Sequence, residues 1–456
     1  MKNNSPWIHQ LNKDRETKAL ANDIETDIAI VGGGIAGVST AFFILRNTQK
    51  KVVLLEGGRL GHGATGHNGG QLTSYFARSL VSLVKDFGLE KTIEAQKNIE
   101  ENAWELLDVM YTEGQLDILL SRFMGYLGLF NKNQLISVLE DNRLRETAGL
   151  KPKEILIADH ADFLKEVETK YHSLFQVIPH DEILKKLETK EPRFIACLSE
   201  QKGCMNSALF TEKIAEYLLE KYQERFIIYE HTHIGKVVLH DDSAILDADK
   251  HTVTAKRVAL CTNGFDNITI FNKSGLDIDT RFHHSIRAII GYMSGYLEEP
   301  IKPPMAISYL YDDLSVDDPS SGSYAYMTRR AYEYNNNRHN LISIGGPDVS
   351  LEDRRKYEKD QEYPEWARDE IDKFVRSVYA DDPEREINYL FTWHGLMGYT
   401  ANKLRLVGVE PKNPVLLYNL GCNGVGLLPS IFGGDKISRI TNNEKFPPSI
   451  FDPREN

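Results

Sequence analysis

The chain has little sulfur and no membrane-length apolar stretch that reads as a helix. Its four cysteines, Cys197, Cys204, Cys261 and Cys422, show no C-x-x-C spacing, which argues against a disulfide framework and a thiolate metal site; no metal is expected. Basic residues are outnumbered, and the net charge is −12 at pH 7, so general binding to nucleic acid or to an anionic membrane is not expected. Residues 28–45 carry no charge, yet three consecutive glycines, Gly32, Gly33 and Gly34, make them a poor spanning helix. The first residues, MKNNSPWIHQLNKDRET, lack the apolar core of a signal peptide. Internal repeats and low-complexity segments are missing as well. A cytoplasmic protein is the expectation.

What is present is concentrated in residues 26–56, TDIAIVGGGIAGVSTAFFILRNTQKKVVLLE. Residues 28–31 are a short apolar run that predicts a buried parallel strand. Gly32, Gly34 and Gly37 follow at G-x-G-x-x-G spacing. Residues 35–45 predict a helix, 52–55 a second strand, and Glu56 closes that strand. The chemistry uses each of these residues. Gly32 permits the tight turn, Gly34 lets the backbone approach a pyrophosphate, and Gly37 lets helix and strand pack closely. The helix start offers unpaired N–H groups to phosphate, and Glu56 can accept hydrogen bonds from a ribose diol. A plain βαβ unit would use the same glycines, but the full order of strand, glycines, helix, strand and acid favours a dinucleotide. A second such motif is absent, so no separate NAD(P)H domain is expected.

Residues 57–72 contain seven glycines in sixteen positions, suggesting backbone packed against a flat ligand rather than a flexible surface loop. Residues 73–113 show helical periodicity, with Leu80, Leu83, Val84 and Phe87 on one face. Residues 202–222 read as a turn followed by an amphipathic helix. Strands are expected at 225–230, at 234–239 beginning with Ile234, and at 257–261. Residues 270–385 alternate apolar and polar positions, as an antiparallel sheet does, with a loop at 317–323. Residues 1–24 read as an arm on the surface.

Four motifs together resemble the D-amino-acid-oxidase superfamily of FAD-dependent oxidoreductases, which includes glycine, sarcosine and gamma-glutamylputrescine oxidases. They are VGGGIAG with Glu56; GATGHNGGQ at 63–71; ALCTNGF at 259–265; and WHGLMGYTANKLRLVG at 393–408 with NLGCNGVGLLPSIFGGDKIS at 419–438. The resemblance covers residue 27 to about residue 440. It implies an α/β fold, with a Rossmann-type FAD-binding domain from 25–115, 202–268 and 386–456. A second, mixed or antiparallel-sheet substrate domain is implied at 116–201 and 269–385. It implies FAD as cofactor, held by Gly32, Gly34, Ile35, Ala36, Gly37, Glu56, Gly57, Arg59, Ala64, Thr65, His67, Asn68, Gly69, Gln71, Ile234, Thr262, Asn263, Gly264, Asn423, Gly424, Val425, Gly426 and Leu427. Pro429 falls in the first turn of a closing helix, a favoured place for proline. The positive end of that helix would stabilise charge on the flavin pyrimidine.

The implied reaction is oxidation of the C–N bond of a small-molecule amine or amino acid to an imine. Alternatives are a dehydrogenase passing electrons to a quinone or protein acceptor, a flavoprotein modifying a side chain of a protein partner, and a flavin-binding protein without turnover. A homo-oligomer is left open. Catalytic candidates are His394, Tyr326, Arg329 and Arg330; an arginine could clamp a substrate carboxylate, or serve only in an ion pair, and His394 could be purely structural. His283, His284, Tyr292 and Met293 fall on the other wall of the implied cavity. Met397 stands where sarcosine-oxidase-like members carry a flavin-linking cysteine, so that thioether cannot form. Ser343 is the nearest match to their oxygen-activating lysine. His67 is placed either to donate a hydrogen bond to the cofactor or, as in relatives similar to dimethylglycine dehydrogenase, to bond the flavin covalently.

Overall fold

A computed structural model describes residues 2–264, 267–278, 285–310, 324–353, 356–379 and 384–453. Phe265, His283, His284 and the expected loop at 317–323 lie outside these residues.

Two sheets carry the architecture. The first has nine strands. At its centre Ile24–Val31 runs parallel to Val52–Leu55 on one side and to His251–Leu260 on the other. The predicted βαβ unit is therefore present: helix Ile35–Asn47 connects the first two strands and all but its last two residues are buried. Residues 28–31 and 52–55 are buried on both faces, as a parallel strand covered by helices requires. Phe226–Tyr229 continues the sheet beyond Val52–Leu55, and Leu416–Leu420 adds to His251–Leu260. The closing helix, Leu427–Thr441, packs on Ile35–Asn47, with Gly434 close against the Ser39 and Thr40 backbone.

The second sheet has ten strands. Arg287–Glu298, Asn337–Leu351, Tyr324–Tyr334 and Met305–Leu310 follow one another antiparallel, and Phe391–Tyr399 flanks Arg287–Glu298. Leu120–Leu129 joins parallel to Met305–Leu310, then pairs antiparallel with Ala196–Met205. The alternation at 270–385 thus corresponds to an antiparallel run. Sheet membership crosses the expected domain boundaries in places. Gln71–Thr73 and Phe391–Tyr399 belong to the second sheet, and Thr269–Asn272 to the first. Ala196–Met205 runs through the boundary expected at 201/202.

Two local readings need correction. Residues 202–205 are not a turn but the end of a ten-residue strand; the turn is compressed into Asn206, whose side chain caps helix Ser207–Lys221. The strand is buried on both faces, so it lacks the alternation that marks a half-exposed strand. The arm is not a surface feature at its start. Trp7 is fully buried. It lies edge-on to Trp393 at 6.4 Å between ring centroids and fills the space a side chain at Gly70 would need. Among the described residues no helix is long and apolar enough to cross a membrane.

Candidate functional site

The ends of the first sheet's parallel strands and one face of the second sheet enclose a single cavity of about 780 Å³. Its lower wall is the glycine turn. Gly32 has φ +108°, and an added Cβ would lie 2.7 Å from the Cys261 carbonyl oxygen, so only glycine fits. Helix Ile35–Asn47 begins at Gly34 without a side-chain cap of its own; the Thr65 hydroxyl accepts from Ile35 N at 3.0 Å instead. Gly37 does not line the cavity; a Cβ there would come 1.8 Å from the Gly32 carbonyl oxygen, which is the close helix–strand contact expected of it. Glu56 accepts from Gly33 N at 2.6 Å and from Gly58 N at 2.8 Å, one bond to each carboxylate oxygen.

The upper edge is the glycine-rich turn at 421–426. Asn423 and Gly424 adopt φ of 48° and 76°, and Asn263 accepts from Cys422 N at 2.8 Å, tying this turn to the strand end at 260. Helix Leu427–Thr441 starts at Gly426, again without a side-chain cap. Pro429 lies in its first turn, as expected. Val425, Gly426 and Leu427 line the cavity, so the uncapped, positive end of the helix bounds it. Arg405 lies behind this turn, donating to the Asn419 side chain and to the Asn419 and Gly421 carbonyls. Burial holds its guanidinium down to about 10.

Residues 57–72 form the side wall. Gly57, Ala64, Thr65, His67, Asn68, Gly69 and Gln71 all border the cavity. Asn68 holds the segment in shape: its amide donates to Ala64, Thr65 and Ser207, and its backbone carbonyl receives the indole N–H groups of Trp7 and Trp393. His67 donates from Nδ1 to the Gly63 carbonyl at 3.0 Å. Burial pushes its imidazole down to about 3, so the ring is neutral and Nε2 keeps a lone pair. Ile234, Thr262 and Asn263 complete this side. Arg59 does not reach the cavity; it donates to the Lys13 and Arg15 carbonyls and so fastens the arm. Gly264 makes a positive-φ turn against Ile286.

The second sheet supplies the roof, where the catalytic candidates separate. Tyr326 borders the cavity, its ring lodged where side chains at Gly69 and Gly345 would be. Met293, Met397 and Tyr399 are beside it. Arg329, three residues on, faces the other side of the strand. It makes two 2.6 Å bonds to Glu188 and one to the Pro303 carbonyl, and it does not reach the cavity. Arg330 shares the face of Tyr326 but is buried over the Trp7 ring, 5.3 Å away, outside the cavity wall. His394 is fully buried, with Nδ1 bonded to Tyr357 and Nε2 to the Gln361 carbonyl; it too stays outside the lining, with Tyr292 packed beside it. None of these three side chains borders the cavity, so the geometry offers no support for a substrate clamp by either arginine or for proton transfer by His394.

Residues that the sequence did not single out line the same space. They include Lys202, Tyr75, Tyr324, His62 and Lys359, the last within the electrostatic reach of Glu56. Burial lowers His62 to about 4 and lowers Lys359 as well.

A family model described as FAD dependent oxidoreductase (DAO) matches residues 27–440. The chain belongs to this family. It is 31% identical over 155 residues to gamma-glutamylputrescine oxidoreductase of Escherichia coli (strain K12), covering 34% of this chain and 36% of that protein. The aligned part is thus about a third of that relative's length. Among solved structures, glycine oxidase from Geobacillus kaustophilus superposes with a TM-score of 0.66 at 16% identity, covering 95% of this chain and 99% of that one. L-proline dehydrogenase from P. horikoshii gives 0.63 at 15% identity, covering 95% and 98%. These likenesses establish the fold, and the family establishes FAD as the cofactor. The cavity fits it: the starts of two helices, a glycine turn no side chain could enter, and the Glu56 carboxylate face one space.

Proposed function

We propose that this FAD-dependent oxidoreductase oxidises the C–N bond of a small amine or amino acid to an imine, which water then hydrolyses. The observation that carries the reading is the continuity of the cavity from the glycine turn to the tyrosine-walled roof. A small molecule held under Tyr326 would share one enclosed space with the cofactor. Gly32–Ile35 would receive the pyrophosphate, Glu56 the ribose, and 57–71 and 423–427 the ring system. The flavin supplies the hydride acceptor when bound.

The chain's own residues then have two tasks. The uncapped start of Leu427–Thr441, with Arg405 behind it, provides positive potential that favours added negative charge in the cavity. Tyr75, Tyr324, Tyr326 and Met293 wall the remaining space and exclude water. The Tyr326 ring occupies the space that side chains at Gly69 and Gly345 would take. A single nucleotide motif in the sequence supports reduction by an organic substrate rather than by NAD(P)H.

The test is anaerobic bleaching of the purified holoprotein by a panel of amines and amino acids, with NADH and NADPH as controls. Bleaching by one or more amines, with release of a carbonyl product, supports the reading. Bleaching by a nicotinamide alone refutes it.

A further inference from the structure

Lys202 is a buried cation of the cavity wall that the reaction outlined above leaves unused. It is 0% exposed, yet it lines the cavity. Its place is built into the sheet: a Cβ on Gly125, in the neighbouring strand, would meet the lysine's Cδ at 2.6 Å. Nζ donates to the Ser308 hydroxyl at 3.2 Å and lies 3.5 Å from the Tyr126 carbonyl. Tyr324 also donates to Ser308 at 3.2 Å, and Tyr75 bonds to Tyr324. Among the described residues no carboxylate pairs with Lys202. Glu200, the nearest acid on its own strand, is taken by Lys153.

An ammonium has three N–H groups. Two have weak neutral acceptors here, and Glu200 offsets the charge only in part; a dry cation short of counter-charge is costly. An anion arriving through the cavity would offset that cost.

We propose that Lys202 is the anion-binding residue of the substrate cavity, and that the substrate is an amine that also carries a carboxylate, received by the Lys202 ammonium with Ser308, Tyr324 and Tyr75 around it. The inference rests on the amine-oxidising reading and narrows it. The titratable and charged groups about Lys202 are Tyr75 from the segment after Gln71–Thr73, Tyr126 from Leu120–Leu129, Glu200 from its own strand with Lys153 beyond it, and Tyr324 from Tyr324–Tyr334, with the Tyr326 ring beside Tyr324. Burial holds the lysine down to about 8, Lys153 lowers it further, and Glu200 partly restores it. A bound carboxylate acts in the same direction as Glu200. Carboxylate affinity should therefore be full below pH about 8 and fall roughly tenfold per unit above it.

The experiment titrates acetate and propionate into the FAD-loaded protein, following the flavin absorbance across pH, with propionamide as the uncharged control. The wild type should bind the acids, ignore propionamide, and lose the acids above pH about 8. Lys202→Met should bind them at least tenfold more weakly at neutral pH, with no such pH dependence. Lys202→Arg should keep binding above the wild-type midpoint, and decides the matter if the methionine variant does not fold. Unchanged affinity and pH profile in Lys202→Met, or in Lys202→Arg, would overturn the assignment, as would equal binding of propionamide. In anaerobic reduction, α-amino acids and ω-amino acids, compared with their amides, show which spacing of amine and carboxylate the site takes; amides that reduce the flavin as well as their acids would also overturn it. Failure of the underlying reading looks different: the acids would bind through Lys202 while no amine of either kind bleached the flavin.

Discussion

The two sheets meet at one cavity but contribute to it by different means. The first sheet offers backbone: N–H groups at two helix starts, glycines that admit no side chain, and one carboxylate that accepts from the Gly33 and Gly58 backbone. The second, with the segment that follows Gln71–Thr73, offers side chains, Tyr75, Lys202, Tyr324, Tyr326 and Met293. A backbone site is indifferent to most substitutions but intolerant of an added Cβ. A side-chain site depends on which face of each strand a residue occupies, and can be retuned one residue at a time. The difference suggests that the first half fixes the cofactor while the second selects what reacts with it.

The sharpest way to break this contrast is at Gly37. In Gly37→Ala the new methyl would lie 1.8 Å from the Gly32 carbonyl oxygen, a worse clash than ordinary overpacking, which costs about 1–3 kcal/mol. The purified variant is expected to be colourless and not reconstituted by FAD; a yellow variant of wild-type stability would show that backbone proximity does not control the cradle. Trp7 joins the halves, so Trp7→Ala should lose about 3–5 kcal/mol in chemical denaturation, the usual cost of emptying a buried tryptophan site, and should release FAD more readily. Arg329, on the far face of the second sheet, should matter to stability alone. Arg329→Met leaves Glu188 without its charged hydrogen bonds, at a cost of about 1.5–3 kcal/mol, with no change in the substrate concentration that half-saturates flavin reduction. A shift in that concentration would return Arg329 to the site.

A further expected effect is one of pH. His67 and His62 are lowered to about 3 and about 4 in the folded protein, against 6.5 in the unfolded chain. The unfolded state then binds the extra protons first. The stability they contribute is full above pH about 6.5 and declines as pH falls toward their folded values. Melting temperatures of the apoprotein should drop between neutral pH and pH about 5, and His67→Gln should flatten part of that drop.

Much of the first half was legible in the sequence because its physics is written in residue type. A position that needs positive φ or close approach takes glycine, and Gly32, Gly34 and Gly37 announce themselves by spacing. The second half is written in strand parity and register, which single residues do not reveal. Tyr326 and Arg329 are three apart, and so on opposite faces; one roofs the cavity and the other pairs with Glu188. His394 neighbours Gly395, a cavity residue, and points away into a cluster of tyrosines. Lys202 was hidden because KGC beside Asn206 looks like a turn, whereas the strand continues to Met205. An apolar PWI in a polar arm was the available sign that Trp7 goes inside.

The division of labour is tested most directly by measuring, in one pair of variants, both FAD affinity and the limiting rate of anaerobic flavin reduction by an amine substrate. Glu56→Leu should weaken FAD by about 1–3 kcal/mol, the penalty for ribose hydroxyls left without their acceptor, and should reduce at the wild-type rate once saturated with FAD. Lys202→Met should bind FAD as the wild type does and respond to substrate differently. If both variants move both quantities together, the two sheets do not divide the work and the account is wrong.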